Sequence, residues 1–327
     1  MTTPTATGLL DVRDLTVEYR SGRRRPPVRA VDGVSFSIAP RETVGLVGES
    51  GSGKSTIGRA ILGLTPIKSG TVALDDADIG HASPKARREL SARLQVVFQD
   101  PYSSLNPART IGQTLSEALR RQSLDRHEVA AKVGDMLERV GLPAAAADRY
   151  PAQFSGGQRQ RIAIARALIV RPALVICDEA VSALDLSVQA QVLNLLRELQ
   201  GDFDLGYLFI SHDLTVVRHV AHRVVVLYGG RIMESGPAAT VHERPAHPYS
   251  KALLAAAPVP DPDRQRARRS TTAPQPAPSR AALPNDSCNF APRCPFATDV
   301  CRNRRPTAET TPEGVTVSCH RWRELRS

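Results

Sequence analysis

The stretch Gly48-Glu49-Ser50-Gly51-Ser52-Gly53-Lys54-Ser55-Thr56 fits the pattern G-x-x-x-x-G-K-[ST]. Its flanks supply the context the pattern needs: residues 42–47 read as a short buried strand and residues 57–64 as a helix. Strand, loop and helix in that order aim backbone N–H groups and the positive end of a helix at one point. The glycines let the main chain approach an anion closely. Lys54 can then reach the β- and γ-phosphates of a nucleotide, and the Ser55 hydroxyl is placed to ligate Mg²⁺. Gly48, Ser50, Gly51, Gly53, Lys54, Ser55 and Thr56 are therefore the first candidate nucleotide-binding residues. The plain alternative, a glycine-rich turn that holds nothing, requires neither the lysine nor the hydroxyl.

Upstream, Leu15, Val17 and Tyr19 alternate with polar residues, and Val34, Phe36 and Ile38 do the same. This predicts two half-buried antiparallel strands joined by a loop around 21–27. Tyr19 ends the first strand, where an aromatic ring can stack on an adenine; a core or surface tyrosine is the simpler reading. Downstream come a strand over 71–74, a basic helix near 85–94 and a strand over 95–98 that delivers Gln99. From Asp100 the pattern turns helical, roughly 111–122, 126–140 and 155–170, as an inserted helical subdomain would. Ser155-Gly156-Gly157-Gln158 opens the third helix. Ser155 suits an N-cap and the two glycines leave N–H groups accessible, a second phosphate-type helix start. By itself it is also an ordinary cap, and Arg159, Arg161 and Arg166 beyond it an ordinary solvated face.

Residues 173–177 form a continuous apolar strand, the kind buried inside parallel sheets, and it ends in Asp178-Glu179. Asp178 is placed to hold Mg²⁺ through water. Glu179 is placed as a general base, or a water-orienting carboxylate, opposite a γ-phosphate. Cys177 reads as simply buried. Ser182-Ala183-Leu184-Asp185 leads into a helix with Val188, Val192, Leu195 and Leu199 on one face, and a strand over 207–210 delivers Ser211-His212-Asp213. Short strands over 224–228 and 231–234 close the core, and helical pieces run to about residue 257.

With 327 residues the chain has room for several structural units. No apolar run approaches bilayer length, and Met1 to Gly8 lack the parts of a signal peptide, which predicts a cytoplasmic location. Basic residues exceed acidic ones by 43 − 33 = 10, and residues 261–327, with 12 basic and 7 acidic, hold half of that excess. Few aromatics interleave with the basic runs, which argues against single-strand nucleic-acid binding. Residues 258–284 contain seven prolines and an arginine run, the composition of an extended linker. Beyond it Cys288, Cys294, Cys301 and Cys319 follow as C-x5-C-x6-C-x17-C with His320 adjacent. Clustered thiols in an intracellular chain point to metal before disulfides. Zinc usually shows closer cysteine pairs, whereas four-cysteine iron–sulfur sites use more varied spacings. A cluster, a zinc site on three cysteines plus His320, and unligated thiols all stay open.

Each later motif is weak alone, but Tyr19, the P-loop, Gln99, Ser155–Gln158, Asp178-Glu179, Asp185 and His212 occur once each and in sequence. Together they closely resemble the ATP-binding cassette of ABC transporters over residues 8–257. The resemblance implies an α/β P-loop NTPase: a RecA-like core with an antiparallel β subdomain, and a helical subdomain over about 100–170 that holds the signature. A linker over 258–286 and a C-terminal extension over 287–327 follow. It implies ATP and Mg²⁺ as cofactors, Tyr19 on the adenine, and Ser55, Gln99 and Asp178 around Mg²⁺. Glu179, His212, Gln99 and Asp185 become the catalytic set, His212 as the γ-phosphate switch and Asp185 at the dimer seam. Ser155, Gly156, Gly157 and Gln158 become the signature, which closes on the P-loop of a second cassette; one copy of each motif means that cassette is another chain. Asp100-Pro101-Tyr102-Ser103-Ser104-Leu105-Asn106-Pro107, His247-Pro248-Tyr249 and Arg293-Cys294-Pro295-Phe296-Ala297 resemble the dipeptide/oligopeptide importers in particular. Similar tails in peptide-importer ATPases hold a [4Fe–4S] cluster, which favours that cofactor over Zn²⁺ for Cys288, Cys294, Cys301 and Cys319. Being remote in sequence from Lys54 and Glu179, the cluster is expected to serve the tail and subunit pairing rather than ATP binding.

The resemblance implies an ATP-hydrolysing subunit at the cytoplasmic face of the membrane that powers peptide import. Its implied partners are a second ATPase, more naturally a paralogue than itself, two permeases and an extracytoplasmic substrate-binding protein, with no nucleic acid. Nickel or glutathione cargo is the alternative within the class. A soluble cassette ATPase acting on ribosomes or DNA suits the basic charge, but the paired cassettes or long coiled coil of such proteins are missing. A generic P-loop kinase would need neither the signature nor His212. Arg41, Asp76 and Ala180 depart from the family pattern, replacing two turn glycines and a proline, and leave local turn geometry open.

Overall fold

The computed structural model describes residues 8–20, 27–100, 104–256 and 286–325. Strands β1 (Leu10–Tyr19) and β2 (Val28–Ile38) pair antiparallel, and β4 (Ser69–Leu74) and β5 (Ala77–Asp78) extend them into a sheet ordered β2-β1-β4-β5. Leu10, Val12, Leu15 and Val17 of β1 are fully buried on one face, the period-2 signature of a sheet with one dry side.

The second sheet begins with β3 (Thr43–Val47), whose five residues are all buried, as suits a strand covered on both faces. With β6 (Leu94–Val97), β7 (Leu174–Asp178), β8 (Gly206–Ser211) and β9 (Arg223–Tyr228) it makes a parallel array ordered β9-β3-β8-β7-β6. Strand β10 (Arg231–Pro237) turns back antiparallel to β9. Two short strands of the C-terminal region, β11 (Glu309–Thr310) and β12 (Thr316–Val317), complete the edge, with Glu234 opposite Val317. One apolar core fills the space between the two sheets around α1 (Lys54–Ile61); the other joins the helical block to the far face of the parallel sheet. Cys288, Phe290, Ala291, Cys301 and Val315 belong to that second core, so the C-terminal region is packed into the body of the protein.

After α2 (Pro84–Leu90), the helical block comprises α3 (Ile111–Leu119), α4 (Arg126–Arg139) and α5 (Gly156–Leu168), each opened by a reciprocal capping box, from Thr110, Asp125 and Ser155 respectively. The arginines of α5 are not a simple solvated face. Arg159 donates to Phe154 O at 3.0 Å, Arg161 to Val140 O at 2.9 Å, and Arg166 to Ser104 O. They satisfy carbonyls of neighbouring segments and tie the block together. Helices α6 (Leu186–Phe203), α7 (Leu214–Arg218), α8 (Ala238–Glu243), α9 (Pro248–Ala256) and α10 (Asp299–Asn303) follow.

The turn geometry at the two glycine replacements is now defined. Arg41 and Asp76 both keep left-handed conformations, φ +62° and +64°, so the main chain retains a glycine-type turn at the steric cost a side chain brings there. Among the described residues no helix is long and apolar enough to cross a membrane. The linker expected over 258–286 lies almost wholly outside the described residues.

Candidate functional site

The parallel register lines up the exits of three strands. Val47 at the end of β3 stands beside Ser211 of β8, and Ile210 stands beside Asp178 of β7. The loop 48–53, the Asp178-Glu179 turn and the Ser211-His212 turn therefore leave the sheet on one edge, where open α/β sheets collect ligand-binding groups.

The loop leading into α1 demands its glycines. Gly53 has φ +108° and a Cβ there would come within 2.4 Å of Ala30 O; at Gly48 it would come within 2.1 Å of Leu227 O. Lys54 is only 4% exposed, and its ammonium donates back to Gly48 O (2.7 Å) and Glu49 O (2.9 Å). Burial pulls its pKa down, opposed by the nearby carboxylates of Glu179, Asp178 and Glu49. The Ser55 hydroxyl bonds Asp178 Oδ1 at 2.9 Å, and burial pushes the Asp178 carboxyl up while that bond holds it down. A hydroxyl and a carboxylate side by side at a phosphate loop are hard oxygen donors of the kind Mg²⁺ takes, so the residues fit that ion.

Glu179 follows β7 with φ +52°, its N–H bonded to Ile210 O at 3.0 Å. The turn swings its carboxylate toward the β8 exit, where His212 Nδ1 lies 3.7 Å from Glu179 Oε1. Tyr19 is 40% exposed and its hydroxyl lies 3.4 Å from Thr56 Oγ1, beside the loop. Gln99 is exposed just past β6, with no hydrogen bond to the loop. Asp185 caps α6, accepting from Val188 N at 2.9 Å. These contacts to N–H groups hold its carboxyl below the usual range. Ser155 caps α5 through Gln158, and a Cβ on Gly157 would meet Val188 at 2.5 Å. No hydrogen bond among the described residues joins Ser155–Gln158 to Gly48–Thr56. Within one chain, then, Lys54, Ser55, Asp178, Glu179 and His212 converge, and the Ser155 segment and Asp185 stand apart.

Sequence reasoning missed the layer behind the loop. Tyr249, fully buried, accepts the Glu49 N–H on its hydroxyl at 2.8 Å. His247 Nδ1 accepts from Tyr249 N at 3.0 Å and so caps α9, while buried Glu234 accepts from Ala246 N and His247 N. Tyr249 stacks edge-on against Tyr228 at 4.7 Å, and Phe290 packs 5.3 Å from both. From the C-terminal region Arg293 forks onto the Glu49 carboxylate at 2.6 and 3.0 Å, and Asn289 donates to Gly229 O at 2.8 Å. The extension is remote from the loop in sequence but touches it in space.

Cys288, Cys294, Cys301 and Cys319 line one small pocket together with His247 and His320. Burial raises the thiols of Cys288, Cys294 and Cys319, the last to about 11, so without a metal they hold their protons. The donors are right in kind for iron–sulfur or zinc. Among the described residues, however, no three His, Cys, Asp or Glu side chains form a group able to hold a metal ion. Cys177, buried in β7 with a thiol pushed up to about 12, is a core residue.

Residues 31–182 match the ABC transporter family, and residues 233–301 match the oligopeptide/dipeptide transporter C-terminal region. A putative peptide import ATP-binding protein of Brucella abortus (strain 2308) is 48% identical over 311 residues, 94% of this chain and 91% of that protein. The oligopeptide transport ATP-binding protein AppF of Bacillus subtilis (strain 168) is 44% identical over 98% of this chain and 99% of its own length. Among solved structures, CbiO1 of Clostridium perfringens, part of the transporter complex CbiONQ, superposes with a TM-score of 0.65 at 27% identity, covering 72% of this chain and 91% of that one. The ATP-binding cassette MJ0796, a dimer in a post-hydrolysis state with ADP and Pi, gives 0.63 at 26% identity, covering 70% and 98%. The fold and the site define an ABC-type ATPase. The chain belongs to the ABC transporter family, in the branch whose members have the oligopeptide/dipeptide transporter C-terminal region.

Buried His247 gives this architecture a pH signature. Burial lowers its pKa from 6.5 to about 3. Between those values the unfolded chain binds a proton that the folded chain refuses, so stability is lost as pH falls through 6.5. Urea denaturation at pH 7 and pH 5.5 should show an acid-dependent loss on the order of 1 kcal/mol in wild type that is missing in His247→Asn. Equal pH dependence in the two proteins would contradict the buried neutral imidazole.

Proposed function

We propose that this chain is the ATP-hydrolysing subunit of a peptide importer, and that Lys54, Ser55, Asp178, Glu179 and His212 perform its chemistry. The observation that supports this best is the meeting of Ser55 with Asp178 at 2.9 Å and of Glu179 with His212 at 3.7 Å beside the buried Lys54 ammonium. The backbone N–H groups of 48–56, together with the α1 N-terminus, bind the phosphates, and Lys54 places a positive charge at the β/γ oxygens. Ser55 and Asp178 would hold Mg²⁺, with Gln99 joining them; bound there, the ion neutralises charge on the transferring phosphoryl group. Glu179 accepts the proton of the attacking water, and His212 senses the γ-phosphate. Tyr19 stacks on the adenine.

Ser155, Gly156, Gly157 and Gln158 serve the nucleotide of a second cassette, with Asp185 at the seam. Two features support this: the signature is not bonded to its own loop, and Leu186, next to Asp185, is an apolar side chain left 85% exposed. Residues 8–257 form the cassette, 258–286 a linker and 287–327 the extension. The partners are membrane permeases, a second and paralogous ATPase and an extracytoplasmic binding protein, and the chain works peripherally at the cytoplasmic face. The relatives' names favour peptide over nickel or glutathione cargo.

Glu179→Gln is expected to keep ATP binding and slow hydrolysis by about 10²-fold or more, measured as phosphate release alongside an ATP titration. Hydrolysis near the wild-type rate would remove Glu179 as the base.

For the cysteine pocket we infer a structural [4Fe–4S] cluster on Cys288, Cys294, Cys301 and Cys319, with zinc on three cysteines plus His320 as the alternative. Four thiols lining one pocket support it, and holding a cluster would require them to draw together from the arrangement described above. Anaerobically purified protein should be brown, contain iron and acid-labile sulfide, and lose both on any single Cys→Ser change among the four. Colourless protein with stoichiometric zinc would select the alternative, and folded metal-free protein would remove both.

A further inference from the structure

Glu49 is a carboxylate inside a phosphate-binding loop, where a negative charge opposes the ligand. Its main-chain carbonyl accepts from Lys54 at 2.9 Å, and its carboxylate is near enough to act on the charge of the ammonium that must meet the phosphates. Left free, that carboxylate has two ways to weaken nucleotide binding: direct repulsion, and capture of Lys54.

The structure prevents both from outside the cassette. Arg293 takes the Glu49 carboxylate with two parallel bonds, 2.6 and 3.0 Å, the fork geometry that fixes direction as well as charge. Its guanidinium lies 5.7 Å from the Tyr228 ring centre and 6.0 Å from that of Phe290, so the fork is braced. Anchors on both sides hold the segment in place. Ahead of Arg293, Arg231 donates to Ser287 O at 3.0 Å and Asn289 bonds Gly229 O; beyond it, Arg321 donates to Phe296 O at 3.1 Å. From the same cluster Tyr249 accepts the Glu49 N–H. Glu49 is thus clamped at main chain and side chain by residues outside residues 31–182, the part that matches the ABC transporter family.

We propose that Arg293 is a positioning residue of the nucleotide site: it neutralises Glu49 and holds that carboxylate away from Lys54, so that ATP affinity depends on the docked C-terminal region. The proposal rests on the P-loop reading, and loss of ATP binding in Lys54→Ala checks that reading separately.

The test is an ATP titration of the full-length chain with Mg²⁺ present. Arg293→Ala is expected to weaken ATP binding about three- to tenfold, the range for exposing one charge near a partly solvated site. Arg293→Lys, which keeps the charge but loses the fork and the stacking, should fall between wild type and Arg293→Ala. In a Glu49→Gln background the same Arg293→Ala change should alter affinity by less than about twofold, because the charge it neutralises is gone. Should Arg293→Ala fail to fold, Arg293→Gln retains the stem over Tyr228 and Phe290 and takes its place in both backgrounds. An equal loss of affinity in both backgrounds would show that Arg293 only props the fold and would overturn the proposal. No loss in the wild-type background would overturn it as well. Neither result would touch the P-loop reading if Lys54→Ala still abolishes binding.

Discussion

The Lys54 ammonium sits almost fully inside the loop proposed to bind phosphate, and the surrounding structure reflects the difficulty of keeping a cation there. Burial drives its pKa down, and a neutral lysine could not meet a phosphate. Two main-chain carbonyls of the loop accept its protons, and carboxylates at the ends of β7 and in the loop stabilise its charge. Those carboxylates must in turn be kept apart from one another and from the ligand. Asp178 is held by Ser55, Glu179 is turned through a left-handed residue toward His212, and Glu49 is drawn outward by Arg293. Each negative group near the lysine therefore has an assigned neighbour.

Much of this could be read from the residues in order. The P-loop announced itself because its spacing encodes a backbone shape. The buried strand over 173–177 announced itself by an unbroken apolar run, and the side chains it delivers are local to it. The His247-Pro248-Tyr249 segment was visible as a resemblance but not as a mechanism, since Tyr249 reaches across 200 residues to Glu49. Arg293 opened a stretch that resembles the family's tail but gave no sign of its Glu49 partner, because an ion pair between distant segments leaves no period in sequence. Strands β11 and β12 are two residues each, too short for any pattern. Arg41 and Asp76 show the reverse case: their identities left the turn geometry open, and the structure shows left-handed turns at both.

The same placement explains why a single chain looks incomplete. The α5 N-terminus and Asp185 are well formed, capped and oriented, yet no hydrogen bond ties the signature to the loop of its own chain. Capped helix starts of this kind attract anions. On the reading proposed above, this helix start serves a nucleotide held by another chain. On this account the C-terminal region tunes the half-site this chain owns, and the signature serves the half-site of its partner.

Ser155→Arg in the assembled transporter, with ATP binding by this chain and ATP turnover of the complex followed together, tests that division most directly. The account predicts that this chain still binds ATP while turnover of the complex falls by half or more, through loss of the opposite site. Turnover unchanged by the substitution, at a rate first order in this protein alone, would contradict it.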